Sequence, residues 1–320
     1  MKYCIGPMSV NIVDAIIEFA TPNQRIGLIP SRRQVDSDGG YVNNWKTEDF
    51  SDYVRRHTRN VFLQRDHGGP GQGQQADNGI TSLEVDTQYF DAIHIDPWKK
   101  FPDYHEGLQK TVDLIQKAHM HNPDILFEVG TEEAIRRFEV EELDRFLGDL
   151  ASRLPASIYK NIQYAVVQSG VGLDLGKMRN TGTYDAARLQ KMVKICRKHN
   201  LLSKEHNGDY LTPTQIKKRF DIGLDCINIA PEFGQLETLC YLEEINDEKI
   251  LQTWYDICYN SARWKKWVDP SFIPQDNKRE LITICGHYVF SDPRFLEIKP
   301  AIDDKIRKTI TNRLYELHQI

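Results

Sequence analysis

The chain has 320 residues, of which 40% are hydrophobic and 27% charged, a balance typical of a globular protein with a sizeable core. Its formal net charge of −5 argues against a dedicated nucleic-acid-binding protein, which needs a basic face to offset phosphates. The six cysteines show no CxxC spacing, which favours reduced thiols. No signal-peptide pattern and no apolar run near the ~20 residues that span a bilayer is found. We therefore predict a soluble, cytoplasmic protein without a nucleic-acid or membrane partner.

Eight short apolar runs are predicted as strands, and helical periodicity lies between them. The strands are residues 3–8, 25–29, 60–64, 92–95, 124–129, 162–168, 201–205 and 226–230. The clearest helices are 10–19, 108–120, 184–199 after a Thr183 cap, 214–220 after Thr212-Pro213, and 236–245. Eight strand–helix repeats over about 245 residues predict an α/β fold, a (β/α)8 TIM barrel. An open doubly wound sheet is the alternative, but GxGxxG and GxxxxGK[ST] phosphate-binding motifs are absent from the sequence.

The last part of the chain has a different pattern. Residues 254–267 are rich in aromatic side chains with helical spacing, and the prolines at 270 and 274 end this pattern. Residues 279–288 and 303–318 are predicted as further helices. We expect residues 1–250 to form the barrel and residues 251–320 to form a helical C-terminal extension packed on it.

Polar side chains follow the predicted strands at their C-terminal ends. In strand order they are Asp66 and His67; His94 and Asp96; Glu128, Glu132 and Glu133; Gln168 and Gly170; His206, Gly208 and Asp209; and Asn228. In a parallel barrel these ends meet on one face, where active sites are found. The pattern therefore predicts a single site built from many strand ends.

Two histidines and a carboxylate in this set, His67, Glu128 and His206, are candidate ligands for a divalent ion such as zinc. Such an ion would polarise a ketone oxygen. Asp66 is a candidate general acid or base, or a partner of a ligand. Glu132 and Glu133 are candidate proton-transfer carboxylates, or simply acidic residues that open a helix.

Lys204 and the glycines extend the candidate site. On an extended strand Lys204 faces the same way as His206, which places it either in a carboxylate pair inside the barrel or as a Schiff-base nucleophile. The backbone of Gly170 and Gly208 would suit a phosphate, because barrels often bind phosphate after the last strands.

In order and spacing, these motifs resemble the class II D-tagatose-bisphosphate aldolase subunit family, often labelled non-catalytic or tagatose-6-phosphate kinase-like. The matching stretches are Gln34-Val35 with Gly39-Gly40-Tyr41, Asp66-His67-x-Gly-Pro, Ile93-His94-x-Asp96, Val129-Gly130-Thr131-Glu132, Gln168-x-Gly170, His206-x-x-Asp209-Tyr210 and Tyr288-x-Phe290-Ser291-Asp292. The resemblance extends from the first strand to Asp292. Metal-dependent class II ketose-bisphosphate aldolases are similar in fold to that family.

The resemblance implies a catalytic Asp66 and the metal ligands His67, Glu128 and His206. The substrate-binding set that follows is Gln34, Asp96, Gln168, Gly170, Gly208, Asp209 and Asn228. Gln168 stands where the catalytic aldolases have a ligand histidine, and Lys204 stands where the subunit family has a glutamate. Arg32 and Arg33 stand where the family has uncharged residues. They are either contacts to an anionic substrate or surface charges.

The predicted function is a class II aldolase-like carbohydrate enzyme that cleaves a sugar phosphate of the ketose-bisphosphate type with a divalent metal, zinc being expected. A sugar epimerase would use the same chemistry. The alternative from another class is a non-catalytic partner that stabilises a catalytic aldolase subunit. A sugar-phosphate kinase is a third possibility. We also expect a homo-oligomer.

Overall fold

The computed structural model describes residues 1–319, and the eight predicted strands in it form a closed parallel barrel. The barrel strands are β1 (Tyr3–Ile5), β2 (Ile26–Leu28), β3 (Val61–Gly68), β4 (Ala92–Ile95), β5 (Leu126–Val129), β6 (Ile162–Val167), β9 (Leu202–Glu205) and β10 (Cys226–Ile229). Their order around the barrel is β1-β10-β9-β6-β5-β4-β3-β2, and β1 pairs with both β2 and β10. The predicted TIM-barrel fold is therefore confirmed.

Helices connect the barrel strands and cover the outside of the barrel. They are α1 (Val10–Phe19), α2 (Thr47–His57), α3 (Ile80–Tyr89), α4 (Tyr104–His121), α5 (Val140–Arg153), α6 (Ala156–Tyr159), α7 (Ala186–Lys198), α8 (Pro213–Asp221) and α9 (Pro231–Glu244). Thr212 caps α8 as predicted and forms a capping box with Gln215. The cap of α7 is Asp185 and not Thr183, because the Asp185 carboxylate accepts the free N–H of Arg188.

A two-stranded antiparallel hairpin, β7 (Val171–Asp174) and β8 (Arg179–Gly182), follows the sixth barrel strand. This hairpin was not predicted from the sequence. Most of its side chains are exposed or half-buried, so it has no alternation of apolar and polar residues to mark it. Gly170 precedes the hairpin with a φ of 89°, and its backbone meets that of Thr183 too closely for a Cβ atom.

Extra helices follow the barrel, as predicted. They are α10 (Glu248–Ser261), α11 (Lys278–Cys285), α12 (Pro293–Ile298) and α13 (Asp303–His318), with short 3₁₀ turns at Lys265–Trp267 and Gly286–Val289. Trp254 is fully buried with its ring centroid 4.8 Å from that of Phe295. The Tyr3 hydroxyl donates to the Leu317 carbonyl at 2.5 Å, which ties the last helix to the first strand. Within residues 1–319 no helix is both long and apolar enough to cross a membrane.

The inside of the barrel changes from apolar to charged toward its C-terminal mouth. Cys4, Tyr164 and Cys226 form an apolar cluster within it. All six cysteines are buried and unpaired, as predicted. Next to this cluster lies an ionic layer formed by Gln64, Glu128 and Lys204.

Glu237 on α9 gives a test of the packing between the first and ninth helices. It is 2% exposed and accepts hydrogen bonds from Ser9 and from Asn11 at 2.8 Å. Burial raises the pKa of Glu237 to about 7, against the opposing effect of its donors and of Lys299. Because this pKa lies above the unfolded value of ~4.3, stability is lost as pH rises from ~4.3 to ~7.

Glu237→Gln removes this titration. We expect the wild type to lose about 3 kcal/mol of unfolding free energy relative to the variant between pH 4.5 and 7.5, measured by urea denaturation. Glu243→Gln, on the exposed side of the same helix, is the matched control. Parallel pH profiles for the wild type and Glu237→Gln would contradict the assignment.

Candidate active site

Three histidines from three strand ends face one another at the mouth of the barrel. The ring centroids are 5.1 Å apart for His67 and His94, 5.2 Å for His67 and His206, and 5.0 Å for His94 and His206. The Asp66 carboxylate lies beside them, with Oδ1 3.6 Å from His94 Nδ1 and 4.0 Å from His206 Nδ1, and Oδ2 3.8 Å from His67 Nε2. One ligand atom from each of the four lies within 4.8 Å of the others.

A local irregularity of β3 brings two consecutive residues into this group. On a regular strand Asp66 and His67 would point to opposite faces of the sheet. The pairing register of β3 with β4 shifts between Arg65 and Gly68, and His67 has a left-handed backbone with a φ of 46°. This bulge turns His67 toward the mouth of the barrel. Backbone strain of this kind is often found at functional sites.

Each histidine has its second ring nitrogen held by a hydrogen-bond acceptor. The pairs are His67 Nδ1 with Asp96 Oδ2 at 2.6 Å, His94 Nε2 with the Gly130 carbonyl at 3.0 Å, and His206 Nε2 with Glu128 Oε1 at 2.7 Å. These acceptors place a proton on the outer nitrogen of each ring, so that the lone pair of the neutral ring faces the cluster. The inner nitrogen of His94 also accepts the backbone N–H of His67 at 3.3 Å. Ligand atoms around a tetrahedral ion with ~2.1 Å bonds are ~3.4 Å apart, and here the Asp66 oxygens lie 3.6 to 4.0 Å from the histidine nitrogens. The donor set therefore fits a divalent cation.

The electrostatics at the mouth favour positive charge. Burial would raise the pKa of Asp66, but the charges of His67 and His206 and a contact with His94 lower it below its usual value. Burial would lower the pKa of His67, yet Asp66 and Asp96 raise it to about 10. Without an ion, the site therefore attracts a proton onto His67.

Glu128 lies behind this group and not within it. Its Oε2 is 2.8 Å from Lys204 Nζ and also accepts from the Gln64 amide, while its Oε1 binds His206. The Lys204 ammonium and the two histidines His94 and His206 lower the pKa of Glu128 strongly, against the effect of burial. The ligand role of Glu128 stays a prediction, and the group that lies together also contains His94, which was not predicted as a ligand.

The predicted pairing of Lys204 with a carboxylate is confirmed. Lys204 is fully buried, and its ammonium is 2.8 Å from Glu128 and 3.0 Å from Gln64 Oε1. Burial would lower the pKa of Lys204, but the Glu128 carboxylate helps to raise it well above its usual value. A charged amine has no lone pair for attack on a carbonyl, so the contacts do not favour the Schiff-base role.

Gln168 holds the loop after β5. Its amide donates to the carbonyls of Thr131 and Arg136 at 2.8 and 2.9 Å, and its Oε1 accepts the N–H of Phe138 at 2.9 Å. All of its hydrogen-bonding groups are used within the protein. Gln168 thus shapes the wall of the site from outside the histidine cluster.

Asn228, near the end of β10, has a buried side-chain amide without a hydrogen-bond partner among the described residues. It is 4% exposed, and neither its Nδ2 nor its Oδ1 has a hydrogen bond. The neighbouring Gly208 donates its N–H to the Asn228 carbonyl at 2.8 Å, which extends the barrel ladder. A buried amide without hydrogen-bond partners in the protein is commonly explained by a bound water or ligand. Asn228 is therefore well suited to bind a polar substrate.

The other predicted site residues lie around the mouth with mainly structural contacts. Asp209 caps α9 by accepting the N–H groups of Ala230 and Glu232 at 2.9 and 2.8 Å, and burial raises its pKa to about 8. Gln34 accepts the Ser31 N–H at 2.6 Å.

The two candidate proton-transfer carboxylates differ in their surroundings. Glu133 pairs with Arg137 at 2.9 Å. Glu132 is half-buried and forms no ion pair within residues 1–319, and its charge raises the pKa of His67. Glu132 is thus the freer carboxylate near the histidines.

Comparisons with known proteins identify the fold of the chain. No protein-family model matches the sequence, and no curated protein matches it. A probable tagatose 6-phosphate kinase from Sinorhizobium meliloti 1021 has a similar structure, with a TM-score of 0.74, 18% identity, and coverage of 96% of this chain and 87% of that chain.

Two further solved structures share the fold. The fructuronate-tagaturonate epimerase UxaE from Cohnella laeviribosi has a TM-score of 0.60 with 9% identity, over 99% of this chain and 78% of that one. A fructose-bisphosphate aldolase from Campylobacter jejuni has a TM-score of 0.58 with 12% identity, over 100% of this chain and 90% of that one. At these identities the likeness establishes the common barrel architecture.

Proposed function

We propose that the chain is a metal-dependent, class II aldolase-like enzyme that cleaves a ketose phosphate by retro-aldol chemistry. The observation that carries the proposal is the group of His67, His94 and His206 around Asp66, each histidine held from behind by an acceptor. Three imidazole ligands with one open position are typical of catalytic zinc sites. We therefore propose His94 as the third ligand in place of Glu128.

A divalent ion held by these histidines would act as a Lewis acid toward the substrate carbonyl. Asp66 Oδ1 has no hydrogen-bond partner among residues 1–319 and stands ready to accept the proton of a substrate hydroxyl as the carbon–carbon bond breaks. Glu132 returns a proton to the substrate carbon. The free amide of Asn228 binds the substrate hydroxyl or carbonyl groups and orients them.

A sugar epimerase is the second candidate. Retro-aldol cleavage followed by addition to the other face of the carbonyl inverts a carbon centre with the same residues. The similarity to the epimerase UxaE supports this alternative at the level of the fold.

The experiment is a turnover assay of metal-loaded protein with a panel of ketose phosphates and bisphosphates. We expect triose phosphate to be released, the activity to be lost with chelator, and Asp66→Asn to lower kcat about a hundredfold or more at unchanged metal content. Inversion of a carbon centre without release, seen by NMR, identifies the epimerase. If metal-loaded protein turns over no member of the panel in either way, the enzymatic proposal fails and the partner-subunit hypothesis is favoured.

Several narrower expectations accompany the proposal and stay predictions. They are zinc as the ion, a sugar phosphate of the ketose-bisphosphate type as the substrate, a homo-oligomer, a cytoplasmic location, a possible catalytic aldolase partner, and the division of the chain at residue 250.

A further inference from the structure

The carboxylate of Glu128 bridges two side chains that lie two residues apart, at the end of β9 and just after it. Its Oε2 is 2.8 Å from Lys204 Nζ, and its Oε1 is 2.7 Å from His206 Nε2. The opposite nitrogen of the His206 ring, Nδ1, lies 4.0 Å from Asp66 Oδ1. Each oxygen of Glu128 therefore has its own partner, and the carboxylate cannot rotate without losing one of them.

Gln64 closes this contact into a triangle of buried side chains. Its amide donates to Glu128 Oε2, and its Oε1 accepts from Lys204 Nζ at 3.0 Å. The Lys204 ammonium also lies 5.2 Å from the ring centroid of Tyr164. Gln64, Glu128 and Lys204 are all fully buried. The position of the Glu128 carboxylate is thus fixed from two sides, away from solvent.

The three histidines of the cluster differ in the acceptor that lies behind them. The neutral Gly130 carbonyl accepts from His94, and the Asp96 carboxylate contacts His67. In the described part of the chain, only the acceptor of His206 is itself paired with a lysine or arginine. A buried cation therefore supports one histidine of the three.

Stability alone gives little reason for an ion pair at this place. Apolar side chains of similar volume often replace a buried ion pair without loss, or with a gain of about 1–4 kcal/mol. An anionic acceptor behind a metal-binding histidine, by contrast, fixes the tautomer and the orientation of the ring and makes it a stronger ligand. Lys204 allows such an anion to be buried, because it supplies the opposite charge.

We propose that Gln64 and Lys204 are positioning residues for His206 that act through Glu128. They fix the Glu128 carboxylate, and the carboxylate keeps the proton of the His206 ring on Nε2 and directs Nδ1 toward the ion. The inference rests on the proposed function for the presence of an ion. It adds that the affinity for the ion depends on side chains below the histidine cluster.

The double variant Glu128→Gln/Lys204→Met tests this role. Glutamine retains the size of Glu128 and an acceptor oxygen, while both buried charges are removed together. We expect the affinity for zinc, measured by competition with a zinc-binding dye, to fall about 10–100-fold, as is usual when the partner of a metal ligand is changed. Gln64→Leu keeps both charges and removes two hydrogen bonds, and we expect it to weaken zinc binding about fivefold.

NMR spectra of the zinc-loaded protein with ¹⁵N-labelled histidine give a readout that a merely structural ion pair would not change. In the wild type we expect His206 to carry its proton on Nε2, with the proton resonance at low field because the acceptor is charged. This resonance should move to higher field in Glu128→Gln/Lys204→Met. The ring N–H resonances of His67 and His94 should stay in place, since their acceptors are unchanged.

The matched control is Glu205→Gln/Arg219→Met, which removes another buried ion pair from the same strand. Arg219 Nε is 2.9 Å from Glu205 Oε2, and both side chains are at most 3% exposed. Neither residue belongs to the histidine cluster. Its zinc affinity should stay within about twofold of the wild type, with the His206 resonance unchanged. Melting temperatures verify that each variant is folded.

The inference is overturned if folded Glu128→Gln/Lys204→Met and Gln64→Leu bind zinc like the wild type, or if the His206 resonance does not move. It is also overturned if the control loses as much affinity as the double variant, because the loss of any buried ion pair would then suffice. Turnover with wild-type zinc affinity in these variants would defeat this inference alone. The expected losses of affinity in a protein that turns over no substrate would support it and defeat only the proposed function.

Discussion

Replacing His94 by glutamine should lower the affinity of the protein for a divalent ion by more than about a hundredfold. Substitution of a residue that only hydrogen-bonds to a metal ligand typically lowers the affinity about 10–100-fold. His94 is fully buried, its Nδ1 faces Asp66 at 3.6 Å, and Gln is a much poorer ligand than imidazole. Glutamine retains a donor for the Gly130 carbonyl, so the fold should be preserved. Competition with a zinc-binding dye measures the affinity.

His105→Gln is the control for this experiment. His105 is exposed at the start of α4 and has no place in the cluster. Its variant should bind the ion like the wild type. If His94→Gln also retains wild-type affinity while Glu128→Gln loses it, the ligand set predicted from the sequence is the better one.

Replacing Lys204 by methionine should destabilise the protein by about 3–5 kcal/mol, the usual cost of removing one partner from a buried ion pair. The change leaves the Glu128 carboxylate fully buried with only the Gln64 amide and His206 as partners. Denaturant unfolding at pH 7 measures the loss. Lys198→Met removes a largely exposed pair with Asp144 and should cost less than about 1 kcal/mol.

The double variant Glu128→Gln/Lys204→Met separates charge from packing. Lys204→Met alone leaves the negative charge of Glu128 buried without its cation, and the double variant removes that charge. The double variant should therefore be more stable than Lys204→Met. A Lys204→Met protein that unfolds like the wild type would show that the ion pair is not formed. Reduction with borohydride in the presence of a ketose phosphate should leave Lys204 unmodified.

The barrel could be predicted from the sequence because its signals are local. Each strand is a short apolar run, and each of the eight runs forms a barrel strand. The gathering of Asp66, His67 and His206 follows from the same topology, since parallel strand ends share one face. The hairpin β7–β8 carries no such pattern, and neither local propensity nor periodicity could reveal it.

The positions of Glu128 and His94 relative to the mouth could not be predicted from the sequence. The two residues are direct partners on neighbouring strands, and both face the inside of the barrel. Which of them reaches the mouth depends on the stagger of the closed sheet and on the partners that each finds, Lys204 for Glu128 and the Gly130 carbonyl for His94. The alternation of side chains along a strand cannot decide which residue reaches the mouth, because it directs both His94 and Glu128 to the inside of the barrel.

The basic residues illustrate the same limit over a longer range. Arg32 and Arg33 are adjacent, and from the sequence either of them could contact an anionic substrate or be a surface charge. Tertiary contacts separate them, because Arg32 pairs with Asp36 and Asp77 while Arg33 forms no ion pair within residues 1–319.

The metal content of the untagged protein, purified without chelator and dialysed with zinc before gel filtration, tests the central claim most directly. The structure predicts about one ion per chain, since one cluster within residues 1–319 combines three imidazoles and a carboxylate. The same preparation of the His94→Gln variant should contain almost none. A wild-type protein that emerges without a divalent ion, or a variant that retains a full equivalent, would contradict the three-histidine site.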